Sequence, residues 1–428
     1  HKAAGERALA YLMRRDTDAD GLVEMMNQSH ADQRGSDWID IIWAAHENAL
    51  VNAEFYHALM RWTELETILG DTNRAVEYAT FAGRLKASFN QTVDEGGFWD
   101  PQNGWYTYWR DKDGSIHGNN LVTPVNFAAI SYGLCDVPAR RDSLLSKIES
   151  LMQKEGLFFW PLNFFPFPRE EGHANNFPYP NYENGDIFLS WGELATRAYA
   201  QVDAGIALKY VKNVLAKYEI DGLSHQRYQR QSQIGIGEDI LAGNCMTIVG
   251  LYRNIYGIQP KHNRLYLEPH LPAELNGTRL NYPLRGQRYE IELSAGAFAM
   301  TANGCTIRYH QPFAINTVDD GVEFFPGSAS CPGLVARPSR SAAVEVTIHA
   351  WPVQSDKPRI WQLASPQGNS VTASICNLLP GADYVIECNG KLLRRLRADA
   401  AGAVTCKLQA PRTTDSFVLR LVTGEKRF

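Results

Sequence analysis

Between residues 41 and 69 the segment IIWAAHENALVNAEFYHALMRWTELETIL keeps apolar side chains at helical spacing, which predicts one long helix. A Gly70-Asp71-Thr72 turn follows, with Thr72 as the expected cap of a second helix over 72–92. The alternation continues. Segments 122–134 and 139–154 form a hairpin across Cys135-Asp136-Val137-Pro138, and 187–202 with 204–217 form another across Val202-Asp203-Ala204. Segment 238–257 reads as a last inner helix, and 2–15 as the outer helix of a hairpin whose partner is absent. Long loops rich in Trp, Tyr, Asp, Asn and Gly precede the inner helices, at 16–40, 94–121, 156–186 and 218–237. Long loops at one end and tight turns at the other place all the loops on one face, where a site usually sits.

Beyond Ile258 the period changes from helical to two. HNRLYLEPHLPAEL opens an all-β region, and TRLNYPLRGQRYEIELSAG alternates apolar and polar residues around turn glycines. A further β unit, 341–424, carries LLPGADYVIECNGK and ADAAGAVTCKL as strand–turn–strand patterns. The expected division is a helical region 1–258, a β-domain 259–340 and a small C-terminal β-sandwich 341–428.

Composition adds limits. The chain has 428 residues, 44% hydrophobic and 21% charged, an ordinary soluble balance with room for two or three cores. Its net charge of −5 gives no reason to expect nucleic acid or a membrane surface as partner. No apolar run is long enough to span a bilayer. The start at His1, with neither Met nor a signal-peptide core, predicts a processed or truncated beginning and leaves cytoplasm, periplasm and secretion all open. Seven cysteines show no CxxC or Cys/His spacing, so the expectation is no zinc site and free thiols, with Cys388–Cys406 the one disulfide considered.

Chemistry concentrates in the loops. Gly35-Ser36-Asp37-Trp38-Ile39-Asp40 stands directly before the long helix, where a first turn would put Asp37 and Asp40 on one side. Aspartates there also serve as caps. The chemical reading is a carboxylic acid desolvated by Trp38 and Trp43 and coupled to a second carboxylate, which raises its pKa. Eight of ten tryptophans precede residue 200, among them Trp105 and Trp160, and flat rings beside carboxylates suit a saccharide. Asp16, Asp18 and Asp20 begin like a calcium loop, but the twelfth position is Asn27 rather than glutamate, so a polar turn is the other reading.

Asp37-Trp38-Ile39-Asp40 resembles the acid motif of the six-hairpin glycosidases, which include cellobiose phosphorylases, glucoamylases, trehalases and α-L-rhamnosidases. Tyr182-Glu183-Asn184-Gly185-Asp186-Ile187-Phe188 resembles the Y-x-N-G segment before a late inner helix in that group. Gly235 to Asn244, GIGEDILAGN, is similar to the glutamate-bearing glycine-rich stretch before the last inner helix of trehalases. LYLEPHLP at 265–272, followed by LRGQRY at 284–289, looks like the β-domain behind the barrel in sugar phosphorylases and rhamnosidases.

The resemblance implies an (α/α)6 toroid of helical hairpins followed by an antiparallel β-sandwich. It implies an inverting glycoside hydrolase with Asp40 as acid and Asp37 as its neighbour or a substrate contact. The glutamate–aromatic pattern of the general base is missing from Lys217-Tyr218-Glu219-Ile220-Asp221, so Glu238 is the first choice of base and Glu183 the second. Trp38, Trp43, Trp105, Trp160, Asn184, His225 and Arg227 are the expected substrate contacts. The alternatives are a phosphorylase, with phosphate held by His225, Arg227, Arg230 and Gln231, and a non-catalytic carbohydrate-binding protein. Four inner helices of six leave two apolar flanks, one along Ala4, Ala8, Tyr11 and Leu12. The expectation is that residues 1–257 pack against an N-terminal segment of the same protein or a second subunit. Light scattering after size exclusion should show association or aggregation of this chain alone; a cooperative monomer overturns the open ring.

Overall fold

A computed structural model describes residues 1–238, 242–340 and 343–422, the side chain of Ala242 excepted. The chain divides into two compact units, His1–Ile255 and Tyr256–Phe428. Part of the last predicted helix, Asp239-Ile240-Leu241, lies outside the described residues.

In the first unit the helices are α1 (Lys2–Met13), α2 (Ala49–Leu69), α3 (Thr72–Phe89), α4 (Thr123–Ser131), α5 (Pro138–Glu155), α6 (Gly192–Ala200), α7 (Ala204–Asp221) and α8 (Met246–Gly250). A π turn, Leu251–Ile255, continues α8. α2, α4, α6 and α8 neighbour one another in that order, while α3 packs back on α2 and α7 on α6. This is the predicted rhythm of inner and outer helices. No helix among the described residues is long and apolar enough to cross a membrane.

Several boundaries differ from expectation: α6 starts at Gly192 rather than 187, and α8 at Met246 rather than 238. α2 starts at Ala49, not residue 41, because the Asn48 side chain accepts from the Leu50 and Val51 amides at 2.9 and 3.2 Å and caps the helix there. The stretch before it pairs across the loops instead: the Trp43 amide donates to the Glu171 carbonyl at 2.8 Å, and the His173 amide to the Ile41 carbonyl at 2.9 Å. α3 is capped by Asp71, whose carboxylate accepts from the Arg74 amide, and not by Thr72.

A repeated device ties loops to inner helices. Asn52, one turn into α2, accepts from the Val23 amide and donates to the Val23 and Asn48 carbonyls. Asn126, at the same place in α4, accepts from the Tyr106 amide and donates to the Tyr106 and Val122 carbonyls. Both side chains are fully buried, where an unpaired amide would be costly.

Aromatic rings fill the space between the later hairpins. Trp160 lies parallel to Tyr199 (5.3 Å, 16°), close to Tyr210 (4.0 Å) and edge-on to Phe127 (5.4 Å).

The second unit holds two sheets. One, of nine strands, runs from Thr278–Leu284 at one edge to Lys391–Arg397 at the other; the second, of seven, runs from Val404–Ala410 to Ile258–Lys261. Inward positions alternate, as in Val404–Ala410, and meet in one apolar core around Ile307, Phe324, Trp361 and Phe417. Two expectations are corrected. The division at residue 340 cuts through both sheets, since Cys305–Arg308 pairs with Val344–Thr347 and Leu334–Pro338 with Val371–Ile375, so the β region is one compact unit. The first of these pairs is also parallel, so the sandwich is not wholly antiparallel. Cys388 and Cys406 are not joined in a disulfide.

Trp160→Ala should cost about 3–5 kcal/mol of stability through lost burial and the cavity left behind. Urea denaturation followed by circular dichroism measures it, and a change below about 1 kcal/mol would show that the ring stack is not a core.

Candidate active site

The four long loops are cross-linked by polar contacts. The Tyr108 hydroxyl, from the second loop, donates to both Asp37 carboxylate oxygens at 2.9 and 2.8 Å. Asp37 also accepts from Asn48 Nδ2 (2.7 Å) and from the Ile39 amide (2.7 Å). Glu183, from the third loop, accepts from the Ile41 amide at 2.9 Å. In the fourth loop, Gln226 donates to the Tyr182 hydroxyl, and Arg227 Nε pairs with Asp186 at 2.7 Å. Gly35 closes beneath this segment, where a Cβ would collide with the Asp40 carbonyl.

Asp37, Asp40 and Glu183 therefore form one carboxyl cluster, although Asp37 and Asp40 lie on the loop before α2 rather than in its first turn. Asp40 is exposed and Glu183 is buried behind it. Burial pushes the Glu183 carboxyl up to about 8; the Ile41 amide opposes this, while the hydrogen-bonding Asp40 carboxyl and the Asp37 charge add to it. Burial also raises Asp37, against its bonds from Asn48, Ile39 and Tyr108.

Asp37 and Trp38 line a cleft of about 440 Å³, together with Leu50, Val51, Glu54, Ser190, Trp191 and Met246. Trp38 is 69% exposed, a bare ring at its rim. Glu54, within the cleft, accepts from the Tyr132 hydroxyl at 2.8 Å and is raised by burial; the sequence reading did not single it out, because on α2 it looks like an ordinary polar-face residue.

Other expected contacts have different work. Trp160 is 3% exposed and belongs to the core, not to a binding wall. Trp105 is buried, donates to Asn119 at 2.6 Å and stacks on Phe165. Trp43 is half-buried and holds the loop through its amide. Asn184 is buried, accepting from Asn163 Nδ2 and the Phe167 amide. His225 packs against Gly235 and edge-on to Tyr228. Arg227 lies over the Tyr182 ring in addition to its Asp186 pair. Glu238 is exposed in the loop leading to α8. The expected phosphate cradle does not form: Arg230 is spent on Glu155 (2.7 and 2.6 Å) and the Asn163 carbonyl (2.7 Å), and Arg227 on Asp186.

Asp16, Asp18 and Asp20 do converge, with oxygens within 4.8 Å of one another, a donor set suited to a hard cation such as calcium. Their oxygens also accept from the Gly21, Asp20 and Leu22 amides. Burial raises Asp20 to about 6, with Asp18, Asp16 and Glu24 adding to it and the Leu22 amide opposing. Asn27 points its amide at the Arg34 and Ala44 carbonyls, away from the role of a twelfth-position ligand.

The raised Glu183 pKa carries a stability prediction. Above its ordinary value the unfolded chain has lost this proton while the folded chain keeps it, so stability falls from pH 4.5 to about 8 and then levels. Glu183→Gln should remove its share of that fall and leave the slopes from Asp20 and Glu47, raised to about 6 and about 8 by burial. Denaturation midpoints at pH 5 and pH 8 test it; an unchanged difference between the two would show that Glu183 ionises normally.

No family model matches the chain, and no curated protein matches it. Solved structures do. A structure named "Sialidase" is 14% identical, with a TM-score of 0.50, over 70% of this chain and 29% of that one. A GH78 rhamnosidase of Bacillus sp. GL1 is 12% identical (TM-score 0.41; 72% of this chain, 29% of that one). The GH63 mannosylglycerate hydrolase from Thermus thermophilus, in its glucose complex, is 16% identical (TM-score 0.36; 48% and 45%). The chain thus spans less than half the length of each of these structures. The likeness is one of fold alone.

Proposed function

We propose that this chain carries the acid face of a glycoside hydrolase acting on an oligo- or polysaccharide, and that its row of inner helices is an arc of an (α/α)6 toroid. One observation supports this reading above the rest. Two loops place exposed Asp40 against buried Glu183, whose carboxyl keeps its proton at neutral pH, near a cleft edged by Trp38. Asp40 is the member that reaches a glycosidic oxygen, so it donates the proton; Glu183, buried behind it, positions Asp40. Asp37, held by three donors, fixes the loop that carries Asp40. Exposed Trp38 offers a plane for the apolar face of a sugar ring.

This division of labour removes Glu183 from the list of bases. An inverting pair leaves room for a water, roughly 6.5–9.5 Å between carboxyls, whereas Asp40 is close enough to Glu183 to push its carboxyl up. The water-activating role in the proposal falls to Glu238, exposed before α8.

The test is a panel of oligosaccharides and aryl glycosides. Asp40→Asn should slow natural substrates by roughly 10²–10⁴-fold, the usual contribution of a general acid. Glycosides with activated aryl leaving groups should be largely spared. Equal loss on both classes would mean that Asp40 only positions the sugar.

A further inference from the structure

Away from the carboxyl cluster, three of the long loops meet at a second group of side chains. His30 comes from the first loop, Asp111 and His117 from the second, and Glu171 from the third. His30 Nδ1 lies 2.7 Å from Asp111 Oδ2, and His117 Nε2 lies 3.5 Å from the same oxygen. The three ligand atoms are all within 4.8 Å of one another. His117 Nδ1 faces Glu171 Oε1 at 2.7 Å. That bond sets the tautomer: with the proton on Nδ1, Nε2 is left as an acceptor, with the Ser115 hydroxyl 3.0 Å and Asp111 Oδ2 3.5 Å from it. Trp109 fixes the ring plane by stacking on it (5.2 Å, 12°) and donates to Asp111 Oδ1 at 3.0 Å.

We propose that His30, Asp111 and His117 bind a divalent transition-metal ion of the zinc class, with water completing a tetrahedral site. Two imidazoles and one carboxylate are the ligand chemistry of such ions. Metal–ligand bonds of about 2.0–2.2 Å put tetrahedral neighbours roughly 3.3 Å apart. The Asp111–His117 distance is close to that, and His30 would withdraw from Asp111 by roughly half an ångström. A carboxylate on the far nitrogen of a ligating histidine, here Glu171, is the usual supporting contact.

Charge points the same way, independently of the ligand geometry. Asp111 is 1% exposed and Glu171 6%. Among the described residues no lysine or arginine pairs with either, and Glu171 Oε2 has no hydrogen-bond partner. Two buried carboxylates facing two imidazoles are two positive charges short when the imidazoles are neutral. One divalent cation supplies both. The ion would pin three loops together: Tyr108, next to Trp109, holds Asp37, and the Glu171 carbonyl holds Trp43. The site does not depend on the glycosidase reading.

The experiment uses the full chain, stripped with a chelator and titrated with Zn²⁺ against a chromophoric competitor, and in parallel with Co²⁺. The expected result is one tight equivalent of Zn²⁺ and the intense visible bands of tetrahedral Co²⁺, without thiolate charge transfer. His117→Ala and His30→Ala should weaken that equivalent at least 100-fold, and Glu171→Gln by about 10–100-fold. Asp16→Asn should leave it unchanged. Absence of stoichiometric binding by the unmutated chain would overturn the proposal without reference to any variant. So would an octahedral Co²⁺ spectrum, or binding undiminished in the folded His30→Ala/His117→Ala chain.

Discussion

Long loops hold a fixed shape only if their backbone amides and carbonyls find partners away from water, and the rest of the helical unit depends on how that is met. Asn52 and Asn126 meet it from inside. Each sits one turn into an inner helix and presents both ends of its amide to one residue of the preceding loop. The loops are thus registered on the helices at Val23 and Tyr106. Two residues beyond Tyr106, Tyr108 reaches Asp37. The anchor and the side chain that reaches the carboxyl cluster are separated by one residue, Thr107, so little slack can accumulate between them.

The same economy shapes the carboxyl cluster. Glu183 crosses from the third loop to cap the Ile41 amide of the first, a structural bond made with a group that is costly to ionise where it lies. Had Ile41 been helical, its amide would have faced the capping groups of α2 and Glu183 would have lacked this partner. The cap at Asn48 releases residues 41–47 to pair between loops, and the carboxyl cluster leans on what it releases through the Ile41 amide.

Much of this was legible in the sequence, for identifiable reasons. Hairpin order and the loop face follow from apolar spacing and from where the tight turns fall. The β region announces itself by period-two patterns. Asp37, Asp40 and Glu183 were singled out through short motifs, and the structure brings them together. The start of α2 was misread because apolar spacing runs through Asn48 without a break, and periodicity carries no information about which side chain accepts an amide. Trp160 and Trp105 were misread because a tryptophan in an aromatic-rich loop looks the same whether it faces a sugar or a tyrosine. His30, Asp111 and His117 were invisible as a group: Asp111 lies 81 residues beyond its first partner, and only the folded loops bring them together. The Val-Asn pair shared by α2 and α4 was a readable repeat that helical periodicity alone does not single out.

In the nine-stranded sheet, Asp415–Leu421 pairs on one side with Arg359–Ala364 and on the other with Asp383–Cys388. An interior position is thus taken by the strand that leaves the ribosome after all its neighbours. Until it arrives, Arg359–Ala364 and the Asp383–Cys388 hairpin each present an open edge, and no local pairing can join them. Assembly of the sandwich therefore waits for that strand rather than growing in the order of synthesis. The nascent β unit spends the interval with unpaired edges that a chaperone or a neighbouring chain can reach.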